Sequence, residues 1–337
     1  MTTERSESVI LEQTYHFGDF ADRRKLIDLK KKKGLSISLA FPTLNEEATI
    51  AKEILVLKTE LMERFPLVDE IAVIDSGSTD RTQEIAMQFG AKVFSSADIL
   101  KRYGTFRGKG ENLWKSLYVL SGDIIVWIDA DIANISPRFL YGLVGPLLMH
   151  DHVGYVKAFY ERPIRSEGEL QPSGGGRVTE ILIRPLFSLF YPELALLIQP
   201  LSGEYAGRRS VLEQLPFSVG YGVEVGHLID VYHMFGPKIL AQVDMEMRIH
   251  RNQTIQALSR MGFGILTTFL NRLAKYKEAN ILAALGADHI ALTYAKAVHD
   301  IARTPIQTQE RPPMQTIAEY VERFGVRAKA PSGESKR

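Results

Sequence analysis

Short apolar runs alternate with helix-type patterns through the first 135 residues. Runs rich in β-branched residues are typical of strands buried on both faces of a parallel sheet. Such runs lie at residues 36–41, 70–74, 91–94 and 123–128. Apolar positions at helical spacing predict intervening helices at residues 50–61, 81–89 and 107–120. This alternation predicts an α/β fold: a Rossmann-like, mostly parallel sheet flanked by helices.

The pattern becomes more irregular beyond Pro137. It predicts further helices at residues 138–150, 178–190 and 223–235, and further strands at residues 153–160, 204–207 and 239–249. Residues 254–301 are predicted to be helix-rich and to offer a surface for a homodimer. After Pro305 we expect one short helix followed by a disordered charged tail.

The first 34 residues include four consecutive lysines, Lys30 to Lys33. We interpret this segment as a solvated lead-in, with ordered structure beginning at Leu35. A patch that binds an anionic membrane or a phosphate is the alternative. The N-terminus is acidic and polar, so it does not have the pattern of a secretory signal.

The composition is that of a folded soluble protein, because 45% of the 337 residues are hydrophobic and 24% are charged. The net charge of +1 gives no reason to expect nucleic-acid binding. The chain has no cysteine, which excludes disulfides and thiol nucleophiles and fits a reducing compartment. We therefore expect a cytoplasmic protein. The apolar stretch at residues 186–201 is interrupted by Pro192 and Glu193, so no membrane span is predicted.

The buried run before residue 129 ends in two carboxylates, Asp129 and Asp131, separated only by Ala130. In an extended backbone, side chains two apart project to the same side, so the two aspartates can share one hard cation. Two solvated aspartates at a strand end are the alternative for these residues alone. The pattern resembles the D-x-D motif of nucleotide-sugar glycosyltransferases with the GT-A architecture. That resemblance implies a bound Mg²⁺ or Mn²⁺ that neutralises a diphosphate leaving group.

Two polar turns follow the first two predicted strands, with the sequences P-T-L-N-E-E at residues 42–47 and D-S-G-S-T-D at residues 75–80. The carboxyl ends of parallel strands meet at one edge of a sheet, so we expect both turns beside the aspartate pair. Glu46 can accept a hydrogen bond from a ribose hydroxyl, and Asp75 or Ser76 can bond to the edge of a base. Asn45 is a candidate N-cap for the following helix.

Lys109 lies between two glycines before a predicted helix and is a candidate partner for a diphosphate, with an ordinary exposed lysine as the alternative. Together, the three strand-end motifs resemble a GT-A donor domain. Two other nucleotide-binding classes fit less well. Residues 42–47 lack the glycines of a sugar nucleotidyltransferase loop, and no G-x-G-x-x-G follows an early strand as in a dinucleotide dehydrogenase.

A glycine-rich segment in the second half, G-G-G-R-V-T-E at residues 174–180, predicts an anion site. It places the guanidinium of Arg177 and the hydroxyl of Thr179 at the expected start of a helix, which suits a phosphate or a carboxylate. A flexible loop with a surface arginine is the alternative. Three further segments follow, at residues 199–207, 222–226 and 248–252. With the donor motifs, they resemble the glucosyl-3-phosphoglycerate and mannosyl-3-phosphoglycerate synthases of the retaining family 81 type, over roughly residues 35 to 300.

The resemblance implies a role for each residue that matches a family motif. The donor nucleotide sugar is assigned to Pro42, Leu44, Glu46, Ser76, Lys109, Asp129 and Ala130. The divalent cation, Mg²⁺ or Mn²⁺, is assigned to Asp129, Asp131 and His250. The acceptor phosphate and carboxylate are assigned to Gly176, Arg177, Thr179 and Asn252. Arg248 is placed beside the metal and the acceptor, Glu224 near the transferred sugar, and the carbonyl of Leu201 beside the acceptor.

The resemblance also implies the reaction. A glucose or mannose would move from UDP-glucose, GDP-mannose or GDP-glucose to the 2-hydroxyl of 3-phosphoglycerate, with retention at the anomeric carbon, to give a precursor of glucosylglycerate or mannosylglycerate. Front-face attack is favoured over a sugar adduct on Glu224. The sugar and the base stay open, since glucose and mannose differ in the orientation of one hydroxyl. The implied division is 1–34 extension, 35–135 donor half, 136–303 acceptor half with the helical region, and 304–337 C-terminal helix and tail.

Two other functions remain open. A GT-A transferase acting on a polyprenyl phosphate or another small anionic acceptor would use the same donor half, with residues 186–201 touching lipid. The glycine–arginine loop and the lack of a predicted membrane span weigh against it. A non-catalytic nucleotide-sugar sensor could keep the fold, but it would not need the metal and acceptor motifs together.

Overall fold

The computed structural model describes residues 9–161, 164–166, 169–171, 176–249, 253–277, 288–295, 298–307 and 309–325. The helices are α1 Val9–Glu12, α2 Arg23–Lys33, α3 Ile50–Lys58, α4 Thr82–Gln88, α5 Lys109–Val119, α6 Arg138–Met149, α7 Arg184–Phe190, α8 Arg209–Leu212, α9 Val223–Phe235, α10 Ile255–Lys277 and α11 Ala318–Phe324. Two π-helical segments, Thr59–Arg64 and Thr179–Ile183, follow α3 and precede α7.

The strands are β1 Thr14–His16, β2 Ile37–Thr43, β3 Glu70–Asp75, β4 Lys92–Ser95, β5 Ile124–Trp127, β6 Tyr155–Glu161, β7 Ile164–Ser166, β8 Glu169–Gln171, β9 Tyr205–Arg208, β10 Phe217–Ser218, β11 Leu240–Met247, β12 Asp288–Ala295, β13 Val298–Pro305 and β14 Glu310–Arg311. The central sheet has the order β1-β11-β6-β9-β5-β2-β3-β4. β2 pairs in parallel with β3 and β5, and β11 pairs in parallel with β1 and β6. The prediction of a mostly parallel α/β sheet is confirmed.

Alternation along the strands places side chains in two apolar layers. In β5, Ile124 and Val126 pack in one layer, and Ile125 and Trp127 pack in the other. Residues of α3 and α6 belong to the first layer, and residues of α5 and α9 to the second. A strand covered on both sides needs apolar residues at every position, which explains the continuous runs in the sequence.

β9 runs antiparallel to both of its neighbours, β5 and β6. Its first residue, Tyr205, pairs with Trp127 at the end of β5. The start of β9 therefore lies at the same edge of the sheet as the carboxyl ends of the parallel strands. Gly203 and Glu204, which precede β9, reach that edge beside the aspartate motif.

Ordered structure begins well before Leu35, so the expectation of a solvated lead-in is wrong. The Asp22 carboxylate caps the start of α2, and the helix ends at Gly34, which has a φ of 62°. Leu26 and Ile27 are buried, and β1 adds a strand to the central sheet. The lysine run is misleading because it forms the last turn of an amphipathic helix, where cations are favourable.

Two lysines of this run make structural ion pairs. Lys30 Nζ lies 2.7 Å from Asp69 Oδ1, and Lys33 Nζ lies 2.5 Å from Asp151 Oδ1. Lys30 is only 7% exposed. These contacts join α2 to the rest of the fold, so this pair of lysines does not form an open anion-binding patch.

The prediction of helix for residues 254–301 is confirmed by α10 over residues 255–277. It is wrong at residues 288–295 and 298–301, where β12 and β13 pair as an antiparallel hairpin. Ile290, Leu292 and Tyr294 recur at every second position, which is the strand period that the helical interpretation missed. The short C-terminal helix is confirmed as α11. Within the described ranges, no helix is long and apolar enough to cross a membrane.

Candidate active site

The turns after β2 and β3 are joined by hydrogen bonds. The Asn45 N–H donates to Ser78 Oγ at 2.8 Å, and the Thr79 N–H donates to Asn45 Oδ1 at 2.8 Å. Asn45 has a φ of 59°, a left-handed conformation that asparagine adopts more readily than most residues. The prediction that Asn45 caps α3 is therefore wrong. The helix begins at Ile50, and the Asn45 side chain instead links the two turns.

Asp75 is used to build its own turn. Its carboxylate accepts hydrogen bonds from the backbone N–H groups of Gly77 and Ser78, at 2.9 and 2.8 Å, and from Gln83 Nε2 at 2.7 Å. The side chain is completely buried. Asp75 therefore does not contact a base, whereas Ser76 does line the cleft. Ser76 Oγ lies 2.9 Å from Asn112 Oδ1, which fixes its position.

Lys109 joins the aspartate motif to a second acidic residue. Its Nζ lies 2.5 Å from Asp129 Oδ1 and 2.9 Å from Glu224 Oε1. Lys109 is the first residue of α5, and Glu224 lies in the first turn of α9. The Lys109 side chain is only 13% exposed, so the alternative of an ordinary exposed lysine is wrong.

Arg248 follows β11 and holds the aspartates from the other side. Its Nη2 lies 2.5 Å from Asp131 Oδ1, 3.4 Å from Asp129 Oδ2 and 3.3 Å from Glu204 Oε1. Its Nη1 donates to the Tyr160 hydroxyl at 3.1 Å. Arg248 is 3% exposed, so these contacts are shielded from water and hold the two aspartates in place.

The centre has more carboxylates than cations. Burial alone would lower the pKa values of Lys109 and Arg248, but the surrounding carboxylates outweigh burial and raise both. Burial lowers the pKa of the neighbouring Lys157 to about 7. Four carboxylates lie around these cations: Asp129, Asp131, Glu204 and Glu224. The remaining negative charge suits a divalent cation.

Gly203 packs directly against Asp129. A Cβ added to Gly203 would lie 1.8 Å from Asp129 Oδ2. The Gly203 carbonyl also accepts a hydrogen bond from Lys109 Nζ at 3.4 Å. Any larger residue at this position would therefore displace the aspartate. The adjacent Glu204 is completely buried and accepts a hydrogen bond from the Tyr160 hydroxyl.

The glycine–arginine segment starts a helix, as predicted. Gly176 has a φ of +79°, and its carbonyl accepts the Glu180 N–H at 3.0 Å, which closes the first turn. Thr179 is 4% exposed and begins the π-helical segment. Arg177 Nη2 donates to the Gln253 carbonyl at 3.1 Å. This contact joins the loop to the segment before α10.

These side chains line one cleft with a volume of about 510 Å³. The predicted site residues that line it are Pro42, Leu44, Glu46, Ser76, Lys109, Asp129, Ala130, Asp131, Gly176, Arg177, Thr179, Leu201, Glu224 and Arg248. His250 and Asn252 lie outside the described residues. The fold thus brings the donor and acceptor motifs together, while the role of each residue stays a prediction.

The residues around the aspartate motif fit a divalent cation. Asp129 and Asp131 have side chains 26% and 28% exposed, so their oxygens reach the cleft. Carboxylate oxygens are the ligands that Mg²⁺ prefers, and Mn²⁺ accepts them as well. In the described part of the chain, no three acidic or histidine side chains form a metal cluster. The predicted third ligand, His250, is outside that part.

Several residues of the cleft were not predicted. Asn112 and Tyr221 line it, and Gly203 packs against Asp129. Asn112 could have been found from its position three residues after Lys109, on the same face of α5. The contact of Gly203 depends on the antiparallel register of β9, for which the local sequence contains no signal.

The chain matches a known family of glycosyltransferases. Residues 38–215, more than half of the chain, match the family described as Glycosyl transferase family 2. The matched region begins in β2 and includes the strand-end turns and the D-x-D motif. Fold and sequence together define a glycosyltransferase with a GT-A-like fold.

Two relatives are similar over most of their length. The chain is 58% identical to a glucosyl-3-phosphoglycerate synthase of Petrotoga mobilis, covering 94% of this chain and 97% of the relative. It is 41% identical to the Mycolicibacterium smegmatis protein of that name, covering 85% and 91%. The chain therefore belongs to the glucosyl-3-phosphoglycerate synthase family.

Two solved structures have the same fold. A mannosyl-3-phosphoglycerate synthase from Rubrobacter xylanophilus superposes with a TM-score of 0.84 at 34% identity, covering 92% of this chain and 97% of the other. A glucosyl-3-phosphoglycerate synthase from Mycobacterium tuberculosis, in complex with Mn²⁺, UDP and phosphoglyceric acid, superposes with a TM-score of 0.77 at 39% identity, covering 88% and 95%.

Proposed function

We propose that this protein is a metal-dependent hexosyltransferase that moves glucose from UDP-glucose to the 2-hydroxyl of 3-phosphoglycerate. The observation that carries the proposal is the single cleft that joins Asp129 and Asp131 to Arg177 and Thr179. The M. tuberculosis relative in complex with Mn²⁺, UDP and phosphoglyceric acid supports the same substrates and a divalent cation here.

The donor nucleotide occupies the turns after β2 and β3. Pro42, Leu44, Glu46 and Ser76 line this part of the cleft, and the Glu46 carboxylate can accept a hydrogen bond from a ribose hydroxyl. The hydrogen bonds between Asn45 and the second turn hold the two turns in register. The nucleotide pocket is therefore formed before the ligand binds, which reduces the entropy lost on binding.

The diphosphate lies beside Lys109 and the aspartate motif. Asp129 and Asp131 hold the divalent cation, with His250 as the expected third ligand, and the bound cation neutralises the charge that develops on the diphosphate. Lys109 fixes the side chain of Asp129, and Arg248 fixes that of Asp131. These ion pairs orient the carboxylate oxygens in advance.

The acceptor is held by the loop at Gly176. The guanidinium of Arg177 can bind a phosphate or a carboxylate through two parallel hydrogen bonds. Thr179, Arg248 and Asn252 complete this side of the proposed site. The carbonyl of Leu201, in the segment before β9, orients the 2-hydroxyl toward the sugar. Binding both substrates in one cleft converts the reaction into an intramolecular step.

The reaction proceeds by front-face attack with retention. The bond between the anomeric carbon and the diphosphate breaks as the bond to the acceptor oxygen forms, and the acceptor proton passes to the leaving diphosphate. Glu224 does not form a sugar adduct, because its carboxylate is paired with Lys109 at 2.9 Å and is a poor nucleophile in that state. The proposed role of Glu224 is to position Lys109 and the hexose.

Glucose is the preferred sugar in this proposal, because the P. mobilis and M. smegmatis relatives, at 58% and 41% identity, are glucosyl-3-phosphoglycerate synthases, whereas the mannosyl-3-phosphoglycerate synthase is 34% identical. The mannosyl-3-phosphoglycerate synthase of R. xylanophilus has the same fold, so mannose transfer is the second candidate. A cytoplasmic location, consistent with the lack of cysteine, and a homodimer are also proposed.

A donor panel tests the function. UDP-glucose, GDP-glucose and GDP-mannose are each incubated with 3-phosphoglycerate and Mg²⁺ or Mn²⁺, and nucleoside diphosphate release and the product mass are measured. We expect the greatest release with UDP-glucose, and only when the acceptor and the cation are present. Release that does not depend on 3-phosphoglycerate, or transfer to a polyprenyl phosphate instead, would contradict the proposal.

A further inference from the structure

Helix α3 holds the loop that carries the aspartate motif. Thr49 Oγ1, at the start of the helix, donates to the Ala130 carbonyl at 2.5 Å. One turn further on, Glu53 Oε1 accepts the Ile132 N–H at 2.7 Å. These two hydrogen bonds fix the backbone on both sides of Asp131. The orientation of the aspartate therefore depends on residues of α3 that lie behind the cleft.

Glu53 is an unusual residue for its position. It is completely buried, on a helix whose other buried residues are Ile50, Ile54 and Leu57. Burial raises its pKa well above the usual value, and the hydrogen bond from Ile132 acts in the opposite direction. A buried carboxyl group costs free energy that a leucine would not cost. Its hydrogen bond from the Ile132 N–H offsets part of this cost, although Oε2 has no hydrogen-bond partner among the described residues.

The start of α3 is itself fixed. The N–H groups of Thr49 and Ile50 donate to the Glu46 carbonyl at 3.1 and 3.0 Å. The helix therefore continues directly from the turn assigned to the nucleotide. Helix α3 is therefore a fixed support for the loop that carries the aspartates.

The far end of the loop is held by α3, through Lys52 Nζ, which donates to the Ala133 carbonyl at 2.6 Å, and also by the segment that follows β11. The Ala133 N–H donates to the Ile249 carbonyl at 2.9 Å, and the Ile249 N–H donates to Asn134 Oδ1 at 2.8 Å. These contacts begin beyond Asp131. They do not reach the backbone at residues 130 and 132, so α3 holds the part of the loop next to the aspartates.

We propose that Thr49 and Glu53 are positioning residues that orient Asp129 and Asp131 for the divalent cation. The inference rests on the proposed function, because it takes the aspartate pair as the cation site. Neither residue is among the described residues that line the cleft. Groups that orient metal ligands in this way commonly change metal affinity by about 10- to 100-fold when they are removed.

The test is Mn²⁺ binding in the presence of UDP, measured by electron paramagnetic resonance on folded protein. We expect Glu53→Leu to weaken Mn²⁺ binding by at least about tenfold, because the Ile132 N–H loses its acceptor. Glu53→Gln keeps an acceptor oxygen and should stay within about threefold of the parent. Thr49→Val gives a second measurement if Glu53→Leu does not fold, with Thr49→Ser as its conservative partner.

Two controls separate the possible outcomes. Leu57→Ala weakens the same helix at a fully buried position of the apolar layer and should leave Mn²⁺ affinity unchanged. Equal losses in Leu57→Ala and Glu53→Leu, or parent-like affinity in both Glu53→Leu and Thr49→Val, would overturn the inference. Asp131→Asn tests the underlying site. If Asp131→Asn still binds Mn²⁺, the proposed cation site is wrong. If Asp131→Asn loses Mn²⁺ while both Glu53→Leu and Thr49→Val bind it normally, only the positioning role is rejected.

Discussion

The two sides of the cleft are built in different ways. The donor side consists of turns that directly follow the adjacent strands β2, β3 and β5, and these turns bond to one another. The acceptor side combines the loop at Gly176 with segments that precede β9 and α10. The parallel sheet is sufficient to assemble the donor side, whereas the acceptor side depends on contacts between distant parts of the chain.

The charged groups differ in the same way. Beside the aspartate pair, Lys109 and Arg248 are buried and pair with carboxylates. On the acceptor side, Arg177 is partly exposed and donates to a neutral carbonyl. A buried ion pair holds its geometry before the ligand arrives, while Arg177 is available to exchange its partner for an anion. We therefore expect donor-side substitutions to reduce turnover and acceptor-side substitutions to weaken the binding of 3-phosphoglycerate alone.

Loss of the cation ligand on the donor side has the largest expected effect. Asp131→Asn should lower kcat by roughly 10³-fold, because a metal ion contributes several kcal/mol to the stabilisation of developing charge. The measurement is nucleoside diphosphate release at saturating donor and acceptor. Asp98→Asn removes an exposed carboxylate paired with Lys101 and serves as the control. Parent-like turnover in Asp131→Asn would refute the assignment.

A methyl group at Gly203 tests how tightly the segment before β9 packs against Asp129 of the donor side. Gly203→Ala should lower kcat by roughly 100-fold, because the new Cβ would lie 1.8 Å from Asp129 Oδ2 and displace it. Gly262→Ala is the matched control, since a Cβ there meets only Leu182 Cδ2 at 3.7 Å. Steady-state kinetics and a thermal unfolding curve measure both variants. Equal behaviour of the two would show that the close contact has no consequence.

Arg177→Ala tests the acceptor side separately. It should raise KM for 3-phosphoglycerate roughly 10- to 100-fold and leave KM for the donor within about twofold, because charged hydrogen bonds contribute about 1.5–3 kcal/mol. Arg177→Lys should recover only part of the loss, since lysine cannot form the two parallel bonds. Arg81→Ala, at an exposed ion pair with Glu84, is the control. A similar increase for both substrates would contradict the division of the cleft.

The smallest effect concerns the framework of the donor side. Burial alone would raise the pKa of Glu70, but hydrogen bonds from Ser38, Ser121 and Lys92 outweigh it and lower the pKa to about 2. Because this pKa is below the unfolded value of about 4.5, the stabilisation is present above pH 4.5 and is lost as the pH falls toward 2. Glu70→Gln should lower Tm by roughly 2–4 °C at pH 7.

Thermal unfolding of the parent and Glu70→Gln between pH 7 and pH 2 checks this prediction. The difference in Tm should shrink below pH 4.5 as the parent carboxylate becomes protonated. Glu84→Gln, at an exposed ion pair, is the control. A Tm difference that stays constant over the whole range would contradict the proposed role of the charge.

Local patterns in the sequence were sufficient to predict the position of a residue where a single helix or strand determines that position. The buried run of β5 placed Asp129 and Asp131 at a strand end, and α9 has the predicted bounds. The pattern failed where a residue depends on distant partners. Asp75 was one of two candidates for a base contact, with Ser76, although hydrogen bonds within its own turn use both of its oxygens. The contact between Gly203 and Asp129 requires the register of β9.

Charge and period also misled the interpretation at the two ends of the chain. The four lysines before Gly34 suggested a solvated segment, although Leu26 and Ile27 on the same helix are buried. The helical interpretation of residues 254–301 gave too little weight to the alternating apolar positions of β12. In both regions, the spacing of the apolar residues predicts the secondary structure better than the neighbouring lysine run or the preceding helix does.

The most direct test of the two-sided cleft is a crystal structure of this protein with Mn²⁺, UDP and 3-phosphoglycerate. Anomalous scattering at the manganese edge locates the cation independently of the protein atoms. We expect the manganese to be bonded to Asp131 at the end of β5, and the acceptor phosphate to be hydrogen-bonded to Arg177. Manganese away from the aspartate pair, or 3-phosphoglycerate bound away from the loop at Gly176, would contradict the account.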